Sequence, residues 1–172
     1  MARYRELVAE WSPRLDLVSP GDLARLEERH IQDSLRALTL VRACPPGPAV
    51  DVGSGAGFPG VVLAIAEPTR AWRLLEPRSK RAGFLDEVVR ALDLGNVEVV
   101  RAAAQEAARD PRLAGAHSVG TARALAAPAR AFELLAPLLG SGGLRIVWLG
   151  ENSKPPPGAA LREGSLATMP ID

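Results

Sequence analysis

Cysteine and long apolar runs are scarce in this chain, and each scarcity excludes a class of protein. The single cysteine, Cys44, cannot form an internal disulfide, and without a Cys and His cluster there is no zinc site to propose. We expect Cys44 to be a small buried hydrophobe. No apolar stretch reaches the roughly 18 residues that can span a bilayer, and the first residues lack a secretory signal pattern. We therefore expect a cytoplasmic protein with no metal site and no membrane segment.

Lysine is also scarce, since only Lys80 and Lys154 among the 21 basic residues are lysine. Arginine makes planar, bidentate contacts with phosphate and stacks on bases, so this composition permits an RNA partner. The net charge of +1 lacks the strongly basic balance that is typical of nucleic-acid-binding domains. A GC-rich coding bias explains the arginine preference equally well.

Two helical segments are predicted before a proline-rich break. Apolar residues recur at helical spacing over residues 3–17. The run Ser19-Pro20-Gly21-Asp22 then supplies an N-cap, a proline at the first helical position and an acid, which predicts a second helix. That helix ends at Pro45-Pro46-Gly47-Pro48. With 172 residues, 47% of them hydrophobic, we expect one compact domain. Residues 1–44 would form a helical extension and residues 45–172 a Rossmann-like domain.

From residue 49 onward, strand-like and helix-like segments alternate, which is typical of an α/β fold with a mostly parallel sheet and helices on both faces. The predicted strands cover residues 49–52, 72–76, 97–101, 118–121 and 144–149. The predicted helices cover residues 59–66, 79–92, 105–109 and 128–139. The last helix is predicted to end at Gly140-Ser141-Gly142-Gly143, which would form a turn.

A glycine loop follows the first predicted strand, in the run Asp51-Val52-Gly53-Ser54-Gly55-Ala56-Gly57. Glycine permits backbone dihedrals that a Cβ forbids and lets the main chain approach a ligand closely. A dinucleotide fingerprint reads G-x-G-x-x-G and binds a pyrophosphate, whereas here an acid stands two residues before the first glycine. That acid would repel a pyrophosphate and suits a cationic ligand. S-adenosylmethionine is such a ligand, and the loop resembles motif I of class I methyltransferases.

A second acid agrees with this interpretation. The apolar run Trp72-Arg73-Leu74-Leu75 ends in Glu76, and an acid at the end of the second strand can accept hydrogen bonds from both ribose hydroxyls. The alternative is a glycine-rich turn between strand and helix, with Glu76 as a solvated strand end.

Several longer segments resemble one family, the bacterial small-subunit ribosomal RNA guanine-N7 methyltransferases, also called the RsmG or GidB family. The matching segments are His30-Ile31-Gln32-Asp33-Ser34-Leu35, residues 51–60, Leu75-Glu76-Pro77-Arg78-Ser79-Lys80-Arg81 and Thr121-Ala122-Arg123-Ala124-Leu125-Ala126. The resemblance covers about residues 10 to 150. It is specific, because methyltransferases in general share only the glycine loop.

This resemblance implies methyl transfer from S-adenosylmethionine to N7 of a guanine, with ribosomal RNA or the small ribosomal subunit as partner. It implies that the cofactor is held by one set of residues: Asp51, Gly53, Ser54, Gly55, Gly57, Phe58, Glu76, Ala104 and Gln105. Arg123 would lie at the mouth of the site, where RNA enters, as the candidate catalytic residue. Guanine N7 carries a lone pair and no proton, so no general base is needed and positioning is the main catalytic contribution.

Simpler interpretations stand beside these assignments. Arg123 could be a surface ion-pair partner, and His30 and Asp33 could pair along a helix, His30 then being structural. Lys80 and Arg81 at a helix start oppose the helix dipole, which a phosphate or acidic neighbour would explain and a solvated helix end explains nearly as well.

The chain also departs from the family pattern, with Ala103, Ala104 and Gln105 after the third strand, Ser118 before the fourth and Leu149 after the fifth. These departures leave two alternatives: a diverged relative that binds the cofactor without catalysis, and a small-molecule methyltransferase. The 22 residues after Gly150 suggest that the last strands of the sheet are absent, shortened or rebuilt, leaving an edge that a partner could cover.

Overall fold

The computed structural model of the protein describes residues 1–150, 152–162 and 165–172. The helices are α1 (Ala2–Leu15), α2 (Pro20–Leu23), α3 (Asp33–Leu35), α4 (Leu38–Ala43), α5 (Gly60–Ala66), α6 (Ser79–Ala91), α7 (Ala104–Ala107) and α8 (Pro128–Leu135). The strands are β1 (Ala49–Val52), β2 (Trp72–Leu75), β3 (Val97–Val100), β4 (His117–Arg123), β5 (Leu139–Trp148), β6 (Ala160–Leu161) and β7 (Leu166–Pro170). A π-helical turn covers Glu27–Gln32 and a 3₁₀ turn covers Ala136–Leu138.

All the described strands form one sheet in the order β3-β2-β1-β4-β5-β7-β6. The pairings among β3, β2, β1, β4 and β5 are parallel, whereas β7 runs antiparallel to β5, and β6 antiparallel to β7. The predicted α/β class with a mostly parallel sheet is confirmed. Every residue of β1 is buried, as expected for a strand covered on both faces. The order of the sheet reverses beside β1, and this is where ligands bind in open α/β sheets.

The N-terminal helix α1 packs into the same apolar cluster as the sheet. Its side chains Tyr4, Leu7 and Val8 are buried together with Val61 of α5 and Phe84 of α6. The division at residue 44 stays a prediction, since the contacts run across it.

The predicted second helix is wrong as a continuous element. Its N-cap is as expected, because the Ser19 side chain accepts a hydrogen bond from the Asp22 backbone N–H at 3.1 Å. The chain then breaks into α2, the π-helical turn, α3 and α4. The apolar positions of this segment follow a mixed three- and four-residue spacing, and the wider π turn changes which side chains face the core. Cys44, just beyond α4, is half-buried rather than buried, and its thiol donates to the Leu40 carbonyl at 3.1 Å.

The glycine run at residues 140–143 lies within β5, so the predicted turn there is wrong. The register between β4 and β5 shifts near this point, with His117 opposite Leu139 but Val119 opposite Leu144. Glycine tolerates such an irregularity because it has no Cβ, and Gly142 adopts a φ of 74°. After Gly150, β7 pairs along β5 and the two-residue β6 forms the outer edge. The last strands are therefore present, with β6 very short.

Candidate cofactor and substrate site

The predicted site residues follow the carboxyl ends of neighbouring parallel strands. The glycine loop follows β1, Glu76 follows β2, and Arg123 is the last residue of β4. Parallel pairing brings these ends to the same edge of the sheet. The fold therefore gathers residues that are distant in sequence along one crevice.

The glycine loop is held tightly to the end of β2. The backbone N–H groups of Gly53 and Ser54 both donate to the Leu75 carbonyl, at 2.9 and 3.1 Å. Gly53, Gly55 and Gly57 all have positive φ values, of 72°, 57° and 97°. A Cβ on Gly53 would lie 2.6 Å from the Leu125 side chain, so the loop leaves no room for a larger residue. This is the close-approach backbone that the sequence pattern predicts.

Glu76 bonds to the loop itself. Its Oε2 accepts a hydrogen bond from the Gly55 N–H at 3.0 Å, and its Oε1 accepts one from the Arg78 N–H at 2.9 Å. The side chain is only 4% exposed, so these bonds fix its orientation. A carboxylate has about four acceptor sites, and the two bonds leave acceptor capacity for hydroxyl groups of a ligand. Glu76 is not the solvated strand end of the alternative interpretation.

Asp51 lies beneath the loop rather than on the crevice wall. Its Oδ1 accepts a hydrogen bond from the Thr121 hydroxyl at 2.7 Å, across the β1–β4 pairing. Its Oδ2 is buried and has no hydrogen-bond partner among the described residues. Burial raises the pKa of Asp51 to about 6, against the opposing effect of its bonds to Thr121 and Ser54. The side chain is 1% exposed, and its role toward a cationic ligand stays a prediction.

The raised pKa of Asp51 makes the free energy of unfolding of the protein depend on pH. In the unfolded chain the carboxyl ionises near a pKa of about 3.9, whereas in the folded protein it holds its proton up to about pH 6. Its favourable contribution is therefore full below about pH 4 and is lost as the pH rises through about 6, by on the order of 3 kcal/mol. We expect the free energy of unfolding of the wild type, relative to that of Asp51→Asn, to fall between about pH 3.5 and about pH 6.5 in urea titrations. An unchanged difference would show that the carboxyl stays ionised.

Phe58, which follows the glycine loop, packs in a buried cluster of aromatic side chains. Its ring packs against Tyr4 with centroids 5.4 Å apart and stacks on His30 at 4.9 Å, and the Arg123 guanidinium lies 5.5 Å from its centroid. The ring is only 6% exposed, and the expectation that Phe58 lines the cofactor stays a prediction. The helical extension already covers that ring.

Tyr4 is a site residue that sequence reasoning missed. Its hydroxyl donates to the carbonyl of Ala56 in the loop at 2.7 Å, and the side chain is fully buried. Helix α1 thus holds the loop through a bond between residues 52 positions apart. The only available signal was a phenol group among the apolar positions of α1, because a buried tyrosine hydroxyl usually has a partner.

Arg123 is tied to the helical extension. Its Nη1 donates to Asp33 Oδ2 at 3.2 Å and its Nη2 contacts His30 Nδ1. The side chain is 15% exposed, so Arg123 is an ion-pair partner but not a surface one. Burial lowers the pKa of His30 to about 4, so the imidazole is neutral and can accept from the guanidinium. His30 and Asp33 do not pair with each other as the spacing suggested, because both face Arg123.

A pocket of about 340 Å³ opens beside Arg123 at the ends of β4 and β5. Arg123 lies opposite Trp148 in the strand register, and Leu149 also lines the pocket. The Trp148 indole N–H donates to the Asp33 carbonyl at 3.2 Å, which fixes this wall. The pocket combines an apolar wall with a guanidinium, a combination that suits a flat, polar-edged group.

Ala104 and Gln105, which are predicted to lie beside the adenine, follow the carboxyl end of β3. Ala104 begins α7 after a short loop that follows β3 and is buried, whereas Gln105 is exposed. The Glu106 carboxylate accepts from the Ala103 N–H at 2.9 Å and fixes the start of this helix. The order of strands places Gln105 beyond Glu76, on the side away from Arg123.

Two of the expectations concern a metal site and a membrane-spanning segment. Within residues 1–150, 152–162 and 165–172, no group of three or more His, Cys, Asp or Glu side chains could hold a metal ion. In the same part of the chain, no helix is both long and apolar enough to cross a membrane.

Solved structures share this fold. The chain resembles a mutant of MtNAS in complex with S-adenosylmethionine, with a TM-score of 0.62 and 16% identity, over 98% of this chain and 73% of the other. It also resembles precorrin-6y C5,15-methyltransferase from Geobacter metallireducens, with a TM-score of 0.55 and 17% identity, over 67% of this chain and 61% of the other. The predicted class I methyltransferase fold is confirmed.

Curated relatives are more similar in sequence. The protein named "Ribosomal RNA small subunit methyltransferase G" from Clavibacter michiganensis is 40% identical to this chain, over 87% of this chain. The protein of the same name from Roseiflexus castenholzii is 41% identical, over 83% of this chain. The chain covers 69% and 60% of the length of these two relatives. The family model GidB, described as rRNA small subunit methyltransferase G, matches residues 1–156. Because its site segments resemble this family and the family model matches most of its length, the chain belongs to the GidB family.

Proposed function

We propose that the protein transfers a methyl group from S-adenosylmethionine to N7 of a guanine in small-subunit ribosomal RNA. One observation carries this proposal: the glycine loop is hydrogen-bonded to the buried Glu76 carboxylate in a chain of the GidB family. The relatives named as ribosomal RNA methyltransferases supply the class of substrate.

The cofactor would lie across the ends of β1, β2 and β3. The loop from Gly53 to Gly57 is packed closely, since a Cβ on Gly53 would meet Leu125 and one on Gly57 would meet Val61 and Tyr4, and Glu76 keeps acceptor capacity for the ribose hydroxyls. The Gln105 carbonyl oxygen can accept from the adenine amino group. Asp51 adds a buried carboxyl beneath the loop, and a cationic ligand would favour its ionised form. When bound, S-adenosylmethionine supplies an electrophilic methyl carbon.

The guanine would lie in the pocket beside Arg123. Its N7 needs no deprotonation, so the protein has to orient the ring and exclude water. The contacts of Arg123 to Asp33, His30 and the Arg29 carbonyl use three of its five N–H donors. A remaining donor can bind guanine O6, an acceptor beside N7. The apolar wall at Trp148 and Leu149 would cover the face of the ring.

The experiment measures transfer of labelled methyl to small ribosomal subunits, and to their naked RNA, from cells that lack this modification. The wild type should label guanine N7. Glu76→Gln puts an amide N–H₂ toward one of the backbone donors, so we expect its affinity for S-adenosylmethionine to fall about 10- to 100-fold in calorimetric titration. Transfer at low cofactor concentration should fall in parallel.

The matched control is Glu98→Gln on the neighbouring strand β3, where the carboxylate is exposed and pairs with Arg73. It should bind the cofactor like the wild type. Cofactor binding without any transfer would favour the diverged, non-catalytic relative, and transfer to small molecules but not to RNA would favour a small-molecule methyltransferase. Full affinity in Glu76→Gln would remove that residue from the site.

A further inference from the structure

A basic groove lies beside the cofactor loop, between the end of α1 and the start of α6. Its volume is about 590 Å³, and it is lined by Arg14, Leu15, Asp16, Arg78, Ser79, Lys80 and Arg81. Four of these residues are basic and one is acidic, in a chain whose net charge is only +1. Positive charge is therefore concentrated here.

The basic groove differs from much of the arginine-rich surface because its four cations face a single lining carboxylate, that of Asp16, and form no ion pair with it. Ten arginines elsewhere form ion pairs with Asp or Glu. Among the described residues, none of the four basic side chains of the groove forms such a pair. Arg81 donates only to a backbone carbonyl, that of Asp16, at 2.9 Å. The groove thus keeps an excess of positive charge, with four cations against one carboxylate.

The groove also adjoins the cofactor loop. An Arg81 guanidinium nitrogen lies 3.8 Å from the position of a Cβ on Gly55, and the backbone N–H of Arg78 bonds to Glu76. A polymeric ligand that places one of its groups at the cofactor loop can therefore extend from there into the basic groove.

We propose that the basic groove binds the phosphodiester backbone of the RNA that carries the target guanine. This inference rests on the proposed function, because it assumes that the substrate is RNA. Three of the four cations are arginine, whose fork of N–H donors matches phosphate oxygens. Phosphate contacts fix the register of a nucleic acid without reading its sequence. The groove would align the strand while the pocket beside Arg123 receives the base.

The test is a double variant, Arg14→Gln with Lys80→Gln, which removes two exposed charges from the basic groove. Each lost phosphate contact lowers the slope of log affinity against log salt by about 0.7 to 0.9, so we expect the slope for RNA to fall by about 1.5. Affinity for the RNA at low salt should fall about tenfold or more. Affinity for S-adenosylmethionine, and transfer at saturating RNA, should equal those of the wild type.

The matched control is Arg3→Gln with Arg90→Gln. These residues lie on the same two helices, and their removal changes the charge equally, but they pair with Glu6 and Glu87. An equal loss of RNA affinity in the control variant would overturn the proposal. An unchanged slope of log affinity against log salt in the groove variant would also overturn it. A defect seen with assembled subunits and not with naked RNA would also overturn it, in favour of a ribosomal protein partner.

The two proposals can fail separately. Absence of transfer by the wild type, with RNA binding still dependent on the groove, would remove the proposed function and leave the groove as an RNA site. Normal transfer with groove-independent binding would remove the groove alone.

Discussion

Replacing Gly57 by alanine should abolish binding of S-adenosylmethionine and lower the free energy of unfolding by about 2 to 5 kcal/mol. Gly57 has a φ of 97°, which is strained for any residue with a Cβ. The new Cβ would lie 2.6 Å from Val61 Cγ2 and 2.7 Å from the Tyr4 hydroxyl oxygen. Both neighbours are fully buried, so neither can move away without displacing α5 or α1. The loop itself must then shift, and its bonds to Glu76 and Leu75 shift with it.

Urea unfolding and calorimetric titration would measure the two effects of Gly57→Ala. Gly83→Ala is the matched control, because a Cβ on that residue of α6 meets nothing within 4 Å. Alanine in a helix interior should raise stability there by about 0.5 to 1 kcal/mol and leave cofactor affinity unchanged. A Gly57→Ala protein that binds the cofactor as tightly as the wild type would show that this backbone is not the binding surface.

The parts of the site that the sequence predicts are those built from local chemistry. Glycines at fixed spacing after a strand specify the loop, and an acid at the end of β2 specifies Glu76, because neither depends on a distant partner. The strands from 49 to 149 were predictable for the same reason, except where Gly140 and its neighbours enter β5. Glycine usually indicates a turn, whereas here Gly142 and Gly143 exchange backbone hydrogen bonds with Ile171, just after β7.

The parts that were not predictable depend on long-range packing. Tyr4 reaches Ala56, and Arg123 reaches His30 and Asp33, across 52 to 93 positions of sequence. No spacing rule relates such residues. The π-helical turn contains His30, whose ring stacks on Phe58, another contact between residues distant in sequence.

Arg123→Ala should reduce methyl transfer about 100-fold while cofactor affinity stays within about twofold. Arg123 lines the pocket that we propose for guanine, and its hydrogen bonds run to the helical extension and not to the glycine loop. Its loss would remove the donor that orients guanine. It would also leave Asp33 with Arg36 as its remaining ion-pair partner, which should lower the free energy of unfolding by about 1 to 2 kcal/mol, since these side chains keep partial exposure.

These two effects of Arg123 can be separated with Asp33→Asn, which breaks the same ion pair, together with the more exposed one to Arg36, but leaves the Arg123 guanidinium in place. At a temperature where circular dichroism shows both variants folded, Asp33→Asn should lose stability like Arg123→Ala yet lose transfer by about tenfold at most. A purely structural ion pair predicts instead that transfer follows stability equally in both variants. Transfer at the wild-type rate by Arg123→Ala would exclude Arg123 from the site, and the pocket beside it would then have to orient guanine through its apolar wall alone.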